Sequence, residues 1–362
     1  MPTHPGAAVP SRPAIIGPTF ATPRRFAALI VSLALGVLVV LTLSITVGSV
    51  PIPPGTVWAV VFGHLTGTGT VADSATDQIV WTVRLPRALL GVLVGAALAV
   101  AGTVIQAVVR NPLGDPYLIG IVPGAGLGAV LVIVLGSATL GGVSLAGAAF
   151  IGAMAAFAAT FALGRQGGRW PPTRLVLAGV AVGYLLSAGT YFLQIMATPT
   201  QVQRALFWSL GSVAGARWSD LPLLLAVVAG ATAWLLTNAL RLNALAGGTD
   251  LAGAQGIDVG RLQVTLMTLV ALLTGAVVAV VGGIGFVGLI IPHIARLLVG
   301  ADHRRVLITS VLLGGIFLPL ADIVARTVLA PAELPIGIVT AAIGAPFFIW
   351  LLFTLGRRGA GG

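Results

Sequence analysis

The chain has 362 residues, of which 57% are hydrophobic and 8% charged, and its mean hydropathy is +1.08. Those values exclude a soluble globular domain and indicate a polytopic membrane protein. All 19 basic residues are arginine and the acids number nine, leaving a formal net charge of +10. Without lysine there is no Schiff base and no phosphate-binding P-loop, so any ATP must be hydrolysed by another chain. Without cysteine there is no disulfide and no thiolate metal site.

Residues 1–25 hold six prolines, no acid and the pair Arg24-Arg25, which predicts a disordered cytoplasmic tail. The twin arginine resembles an export signal, but the next apolar run is long for a signal core and precedes many more. A hydrocarbon core of ~30 Å needs ~20 apolar residues. The sequence supplies about ten apolar spans, near 26–48, 88–109, 118–135, 141–164, 175–197, 221–240, 262–281, a short one at 286–299, 306–325 and 336–355. The predicted fold class is therefore all-α, with about ten transmembrane helices in one domain over 26–362.

With the N-terminus inside, only Arg84, Arg87, Arg204, Arg217 and Arg326 fall outside, and the other fourteen arginines are cytoplasmic. That asymmetry orients the chain with both termini in the cytoplasm. Arg326 can pair with Asp322 one turn earlier, and Arg204 and Arg217 can snorkel beside Trp208 and Trp218. Arg84 and Arg87 have no acid within a turn. A basic rim on the outer face suits an acidic soluble partner.

The second span is charged at its entry and interrupted at its exit by Asn111-Pro112-Leu113-Gly114-Asp115-Pro116. Leu93, Gly95, Ala96, Ala99, Val100 and Gly102 recur 180 residues later as Leu273, Gly275, Ala276, Ala279, Val280 and Gly282. At the same offset Pro112 matches Pro292. Five spans separate the copies, so the pattern predicts an inverted repeat with helix breaks at corresponding positions, a pointer to a transport pathway.

Gly283, Gly285 and Gly288 satisfy the dinucleotide fingerprint in letters but follow no strand, so close packing explains them better. The histidines His4, His64, His293 and His303 lack ligand spacing, and no metal site is expected. His293 and Arg296 read as contacts to neighbouring loops. The spans hold no acid except Asp322, which argues against the alternative of an ion-coupled secondary transporter. No acid, base and nucleophile set marks an intramembrane enzyme. In the loop from Arg241 to Arg261, Thr249 or Asp250 can cap a short helix through Ala254 to Gln255, stopped by Gly256, of a kind that fits a partner groove.

These stretches resemble the membrane permease subunits of ATP-binding-cassette importers for cobalamin, ferric siderophores and haem. The resemblance covers most of the chain after Phe26. It rests on RLPR (84–87), VGAALAVAG (94–102), NPLGDPYLIG (111–120), FVGLIIPHIARL (286–297), DHR (302–304), ADIVAR (321–326) and ELPIGIVTAAIGAPFFIWLL (333–352).

It implies a type II importer permease of ten helices in a bacterial cytoplasmic membrane, usually a homodimer. Two ATP-binding subunits would sit inside and one soluble substrate-binding protein outside, with the channel between the two permeases. It also implies that Arg84, Arg87 and Arg326 dock the binding protein, that Asn111 and Leu113 form a cytoplasmic gate, and that span 5 lines the pathway. The ATPase would couple through Leu242, Asn243, Thr249, Asp250, Ala254, Gln255 and Gly256. No cofactor and no catalysis are expected in this chain. The substrate expectation is a ferric siderophore first, then haem or cobalamin. In one respect the chain departs from the family: Gly247 precedes Gly248-Thr249-Asp250 where a Gly-acid pair usually begins the coupling helix.

Overall fold

The computed structural model describes residues 20, 22–48, 50–69, 72–168 and 170–359. The expected tail lies almost wholly outside the described residues. Those residues form helices only: α1 (Pro23–Thr46), α2 (Pro54–Thr66), α3 (Ser74–Gln78), α4 (Leu85–Val109), α5 (Ile121–Leu135), α6 (Leu145–Gly164), α7 (Pro172–Ile195), α8 (Pro199–Ser209), α9 (Leu221–Thr237), α10 (Ala239–Gly247), α11 (Thr249–Ala254), α12 (Val259–Val281), α13 (Val287–Val299), α14 (His303–Thr327) and α15 (Ile336–Gly359). Each of the ten expected spans coincides with a helix. Among the described residues, seven helical stretches are long and apolar enough to cross a membrane, while α5, α13 and the Ile336–Leu351 part of α15 are shorter apolar helices.

The bundle is built around α4. A π-helical stretch at Ile79–Arg84 joins it to α3, giving one 36-residue helix from Ser74 to Val109. Its most apolar window is 83% buried, whereas that of α1 is 6% buried, so α4 is central and α1 peripheral. In lipid the hydrophobic effect does not drive helices together, so close approach of small residues must. Gly95 and Gly314 meet so closely that a Cβ on Gly95 would stand 2.0 Å from the Gly314 carbonyl oxygen. This contact fixes α14 against α4.

Three features differ from the sequence expectation. The outer loop between the first two spans contains α2 and α3, because Pro54 opens α2 and Asp73 caps α3 by accepting from the N–H of Ala75 and Thr76 at 3.0 and 2.8 Å. The connection after α7 contains α8, which starts at a capping box made by Thr198 and Gln201. The helix breaks are not at corresponding positions of the repeat. Pro112 follows the end of α4, but Pro292 lies inside α13, and the second break comes earlier, between α12 and α13. There Gly282 has a φ of 73° and sits on the Trp208 carbonyl, leaving no room for a Cβ.

Candidate functional site

The two ends of α4 carry different chemistry. At its N-terminal end, expected to face outward, Arg84, Arg87 and Arg326 converge, with side chains drawn inward; the residues are only 7%, 8% and 9% exposed. Arg84 Nη1 donates to the Ile45 carbonyl at 2.8 Å and Nη2 to that of Val50 at 2.6 Å, closing off the end of α1. Arg326 Nη2 donates to the Ser44 carbonyl at 2.5 Å.

Arg87 is the centre of an ion cluster. Its Nε and Nη2 reach Asp322 at 3.0 and 2.8 Å, and its Nη1 and Nη2 reach Glu333 at 3.0 and 2.9 Å. Asp322 therefore belongs mainly to Arg87; its oxygen is 3.8 Å from Arg326 Nε. Three guanidiniums against two carboxylates leave this end positive. The Glu333 side chain, at 42%, is its most exposed ionic member. Arg204 and Arg217 are exposed, and Trp218 is turned away to donate its indole N–H to the Trp81 carbonyl at 2.9 Å.

At its C-terminal end, expected to face inward, α4 stops abruptly. Arg110 takes a left-handed conformation, φ 51° and ψ 38°, and the chain turns. Asn111 Oδ1 accepts from the Leu113 N–H at 2.9 Å, and the Asn111 carbonyl accepts from the Gly114 N–H at 3.0 Å. Asp115 then caps a 3-10 turn over Pro116–Ile119 by accepting from the Tyr117 N–H at 2.8 Å. Asn111 is exposed and Leu113 half-buried. The predicted gate residues thus form one tight turn at the mouth of the central helix.

One turn above, the Gln106 side chain is buried. Its Nε2 donates to the Gly288 carbonyl at 3.1 Å, and its Oε1 accepts from Arg296. Arg296 therefore turns toward α4 instead of toward a loop. Sequence reasoning passed over Gln106, although a lone amide in an apolar span was the signal available.

The segment expected to couple to the ATPase is two helices, α10 and α11. Leu242 is fully buried and Asn243 half-buried on α10, while Thr249, Asp250 and Ala254 lie on α11. Neither Thr249 nor Asp250 is the cap. Gly248 holds that position with φ 132°, a conformation a side chain disfavours, and Thr249 is the first helical residue. Gln255 ends α11, and Gly256 reverses the chain with φ 77°.

Asn243 reaches away from this hinge. Its Oδ1 accepts from the His303 N–H at 2.9 Å and its Nδ2 donates to Asp302 Oδ1 at 3.0 Å. Span 5 is α7, and Leu177, Tyr184, Leu185, Tyr191, Phe192 and Ile195 make an exposed apolar and aromatic stripe along it.

The family described as the FecCD transport family matches residues 23–354. The chain is 45% identical to a cobalamin import system permease protein of Halobacterium salinarum over 274 residues, covering 76% of this chain and 73% of the relative. It is 40% identical to a hemin transport system permease protein of Yersinia pestis over 290 residues, covering 78% and 86%. It is 39% identical to a vitamin B12 import system permease protein of Klebsiella pneumoniae over 337 residues, covering 93% and 96%. A solved structure described as an inward-facing metal-chelate type ABC transporter superposes with a TM-score of 0.79 at 32% identity, covering 91% of this chain and 99% of that one. An all-helical bundle around an interrupted central span, matched end to end by permeases, has one reading: the chain belongs to the FecCD transport family and is the non-catalytic, multi-pass permease subunit of an ABC importer.

Proposed function

We propose that this permease imports a metal chelate built on a large ring, cobalamin or haem, with a ferric siderophore as the competing substrate class. The observation that carries the reading is the family match over 23–354, with its nearest chemistry in relatives named for cobalamin and hemin. The Tyr184 and Tyr191 stripe of α7 supports it, because a bulky, partly apolar cargo slides on aromatic faces without being held by charge.

Family membership implies an ATPase partner and a second permease. In this reading the second permease is an identical copy, the channel lies between the two α7 stripes, and both termini are cytoplasmic. An acidic substrate-binding protein docks outside on Arg84, Arg87 and Arg326. Asn111 and Leu113 gate the inner mouth. The α10–α11 segment, with Leu242, Asn243, Thr249, Asp250, Ala254, Gln255 and Gly256, meets the ATPase. Transport follows from a shift between outward and inward states that ATP binding biases.

Proteoliposomes holding the permease, its ATPase and its binding protein test this. Uptake of cyanocobalamin or haemin should require internal or external ATP at the ATPase face and ignore a proton or sodium gradient. Preference for a ferric hydroxamate would move the assignment to siderophores, and uptake without the ATPase would refute the importer reading.

Docking has its own test. Glu333 competes for Arg87, so Glu333→Gln should free donors and make the outer face more positive. Binding-protein affinity should rise by roughly three- to tenfold at low salt, within the range of a charge-assisted hydrogen bond. An unchanged surface-plasmon-resonance Kd would count against Arg87 as a docking residue.

A further inference from the structure

The inner end of α14 is held by one side chain of the coupling segment. Asn243 Oδ1 accepts from the His303 N–H at 2.9 Å and lies 2.7 Å from His303 Nδ1. Asn243 Nδ2 donates to Asp302 Oδ1 at 3.0 Å, and that same oxygen accepts from the Arg304 N–H at 3.2 Å, capping α14. A single amide thus grips the first turn of a membrane-crossing helix through both its donor and its acceptor. His303 is buried, so the contact is shielded from water on that side.

Helix α10 ends at the Gly247-Gly248 pair. Gly248 at φ 132° is a swivel between α10 and α11. Motion delivered to α11 can therefore be absorbed at the glycines or passed on through α10, from which Asn243 makes a polar side-chain link to α14. Toward its other end this 25-residue helix carries Asp322, the partner of Arg87, and Arg326. A helix of that length spans roughly 37 Å, enough to join the two faces of a bilayer. It packs against α4 where Gly314 meets Gly95 and, at its interior proline, where Pro319 meets Gly91.

We infer that Asn243 is a positioning residue that transmits ATPase-driven motion from the coupling segment into α14, and through α14 to the Arg87 ion cluster under the outer face. The inference rests on the reading of α10 and α11 as the ATPase contact. An amide that merely capped α14 would add stability and nothing else. A transmitting amide sets how much transport each ATP yields.

A charge swap separates the two roles. Asn243→Asp sets a carboxylate against Asp302, losing the donor and adding repulsion. Asn243→Asp with Asp302→Asn re-forms the pair with donor and acceptor exchanged, and asparagine still caps α14. In proteoliposomes holding the whole importer, with whichever of cyanocobalamin, haemin or a ferric hydroxamate the wild type accepts, Asn243→Asp should raise ATP consumed per molecule moved by roughly five- to tenfold. The swap should return the ratio to within about twofold, as coupled neighbouring residues do.

The chain has no cysteine, so the contact can also be read directly in the permease alone. Spin labels at Ala246→Cys and Arg304→Cys in nanodiscs should show dipolar broadening that falls in Asn243→Asp and returns in the swap. A wild-type ATP ratio in Asn243→Asp, an unrescued swap, or broadening indifferent to both would overturn the inference. A wild-type importer that moves none of the three probes with ATP would instead sink the functional reading on which it rests.

Discussion

Arg87→Met should lower the stability of the permease by about 3–5 kcal/mol, the cost of leaving buried carboxylates without their cation. Arg87 spends three nitrogens on Asp322 and Glu333, and Asp322 is only 2% exposed. Glu333 can rotate into water, but Asp322 cannot. Its remaining cation, Arg326 Nε, stands 3.8 Å away without a hydrogen bond. Most of the loss should therefore be recovered in Arg87→Met with Asp322→Asn, where no lone charge is left. Thermal unfolding of the four proteins, wild type, both singles and the double, gives the cycle. A double variant as unstable as Arg87→Met would show that the pair is not the source of the loss. The same arithmetic warns against reading a charge reversal at Arg87 as a docking defect, since it would unfold the outer end first.

The ten spans could be read from the sequence because each is an apolar run, seven of them near the length a bilayer requires and three shorter, and that signal is local. The partner of Arg87 could not, because its acids lie 235 and 246 residues away on another helix and the loop after it. Local spacing pointed Asp322 at Arg326, one turn off, whereas the fold gives it to Arg87. The short helices α2 and α8 were hidden for the opposite reason: 13 and 11 residues make no membrane-length run, and only their caps mark them. A short helix does occur in the loop from Arg241 to Arg261, but cap chemistry points its start to Thr249 or Asp250, while backbone freedom at Gly248 places it. Gln106, Asn243 and His303 show the same pattern. Polar residues in or beside apolar spans announce that they have a partner, but only the packed bundle says which.

The gate turn makes the second strong prediction. Helix α4 ends in a left-handed arginine, a conformation that costs a residue with a side chain about 1–2 kcal/mol, so the turn persists only while its neighbours hold it. Asn111 Oδ1 on the Leu113 N–H supplies one such hold, worth about 0.5–1.5 kcal/mol, and the Leu113 side chain supplies apolar closure worth up to about 2–3 kcal/mol. Asn111→Ala with Leu113→Ala should therefore shift a closed inner mouth toward open by more than 1.4 kcal/mol, at least roughly tenfold in population. ATP-free efflux of preloaded probe from proteoliposomes should rise accordingly, with Asn111→Ala alone giving a smaller leak. Because neither residue touches the outer ion cluster or the link from Asn243 to α14, binding-protein docking and ATP turnover should be unaffected in the same preparation. Vesicles that stay tight would remove Asn111 and Leu113 from the gate and leave the turn as a helix stop alone, with closure then falling to another part of the inner mouth.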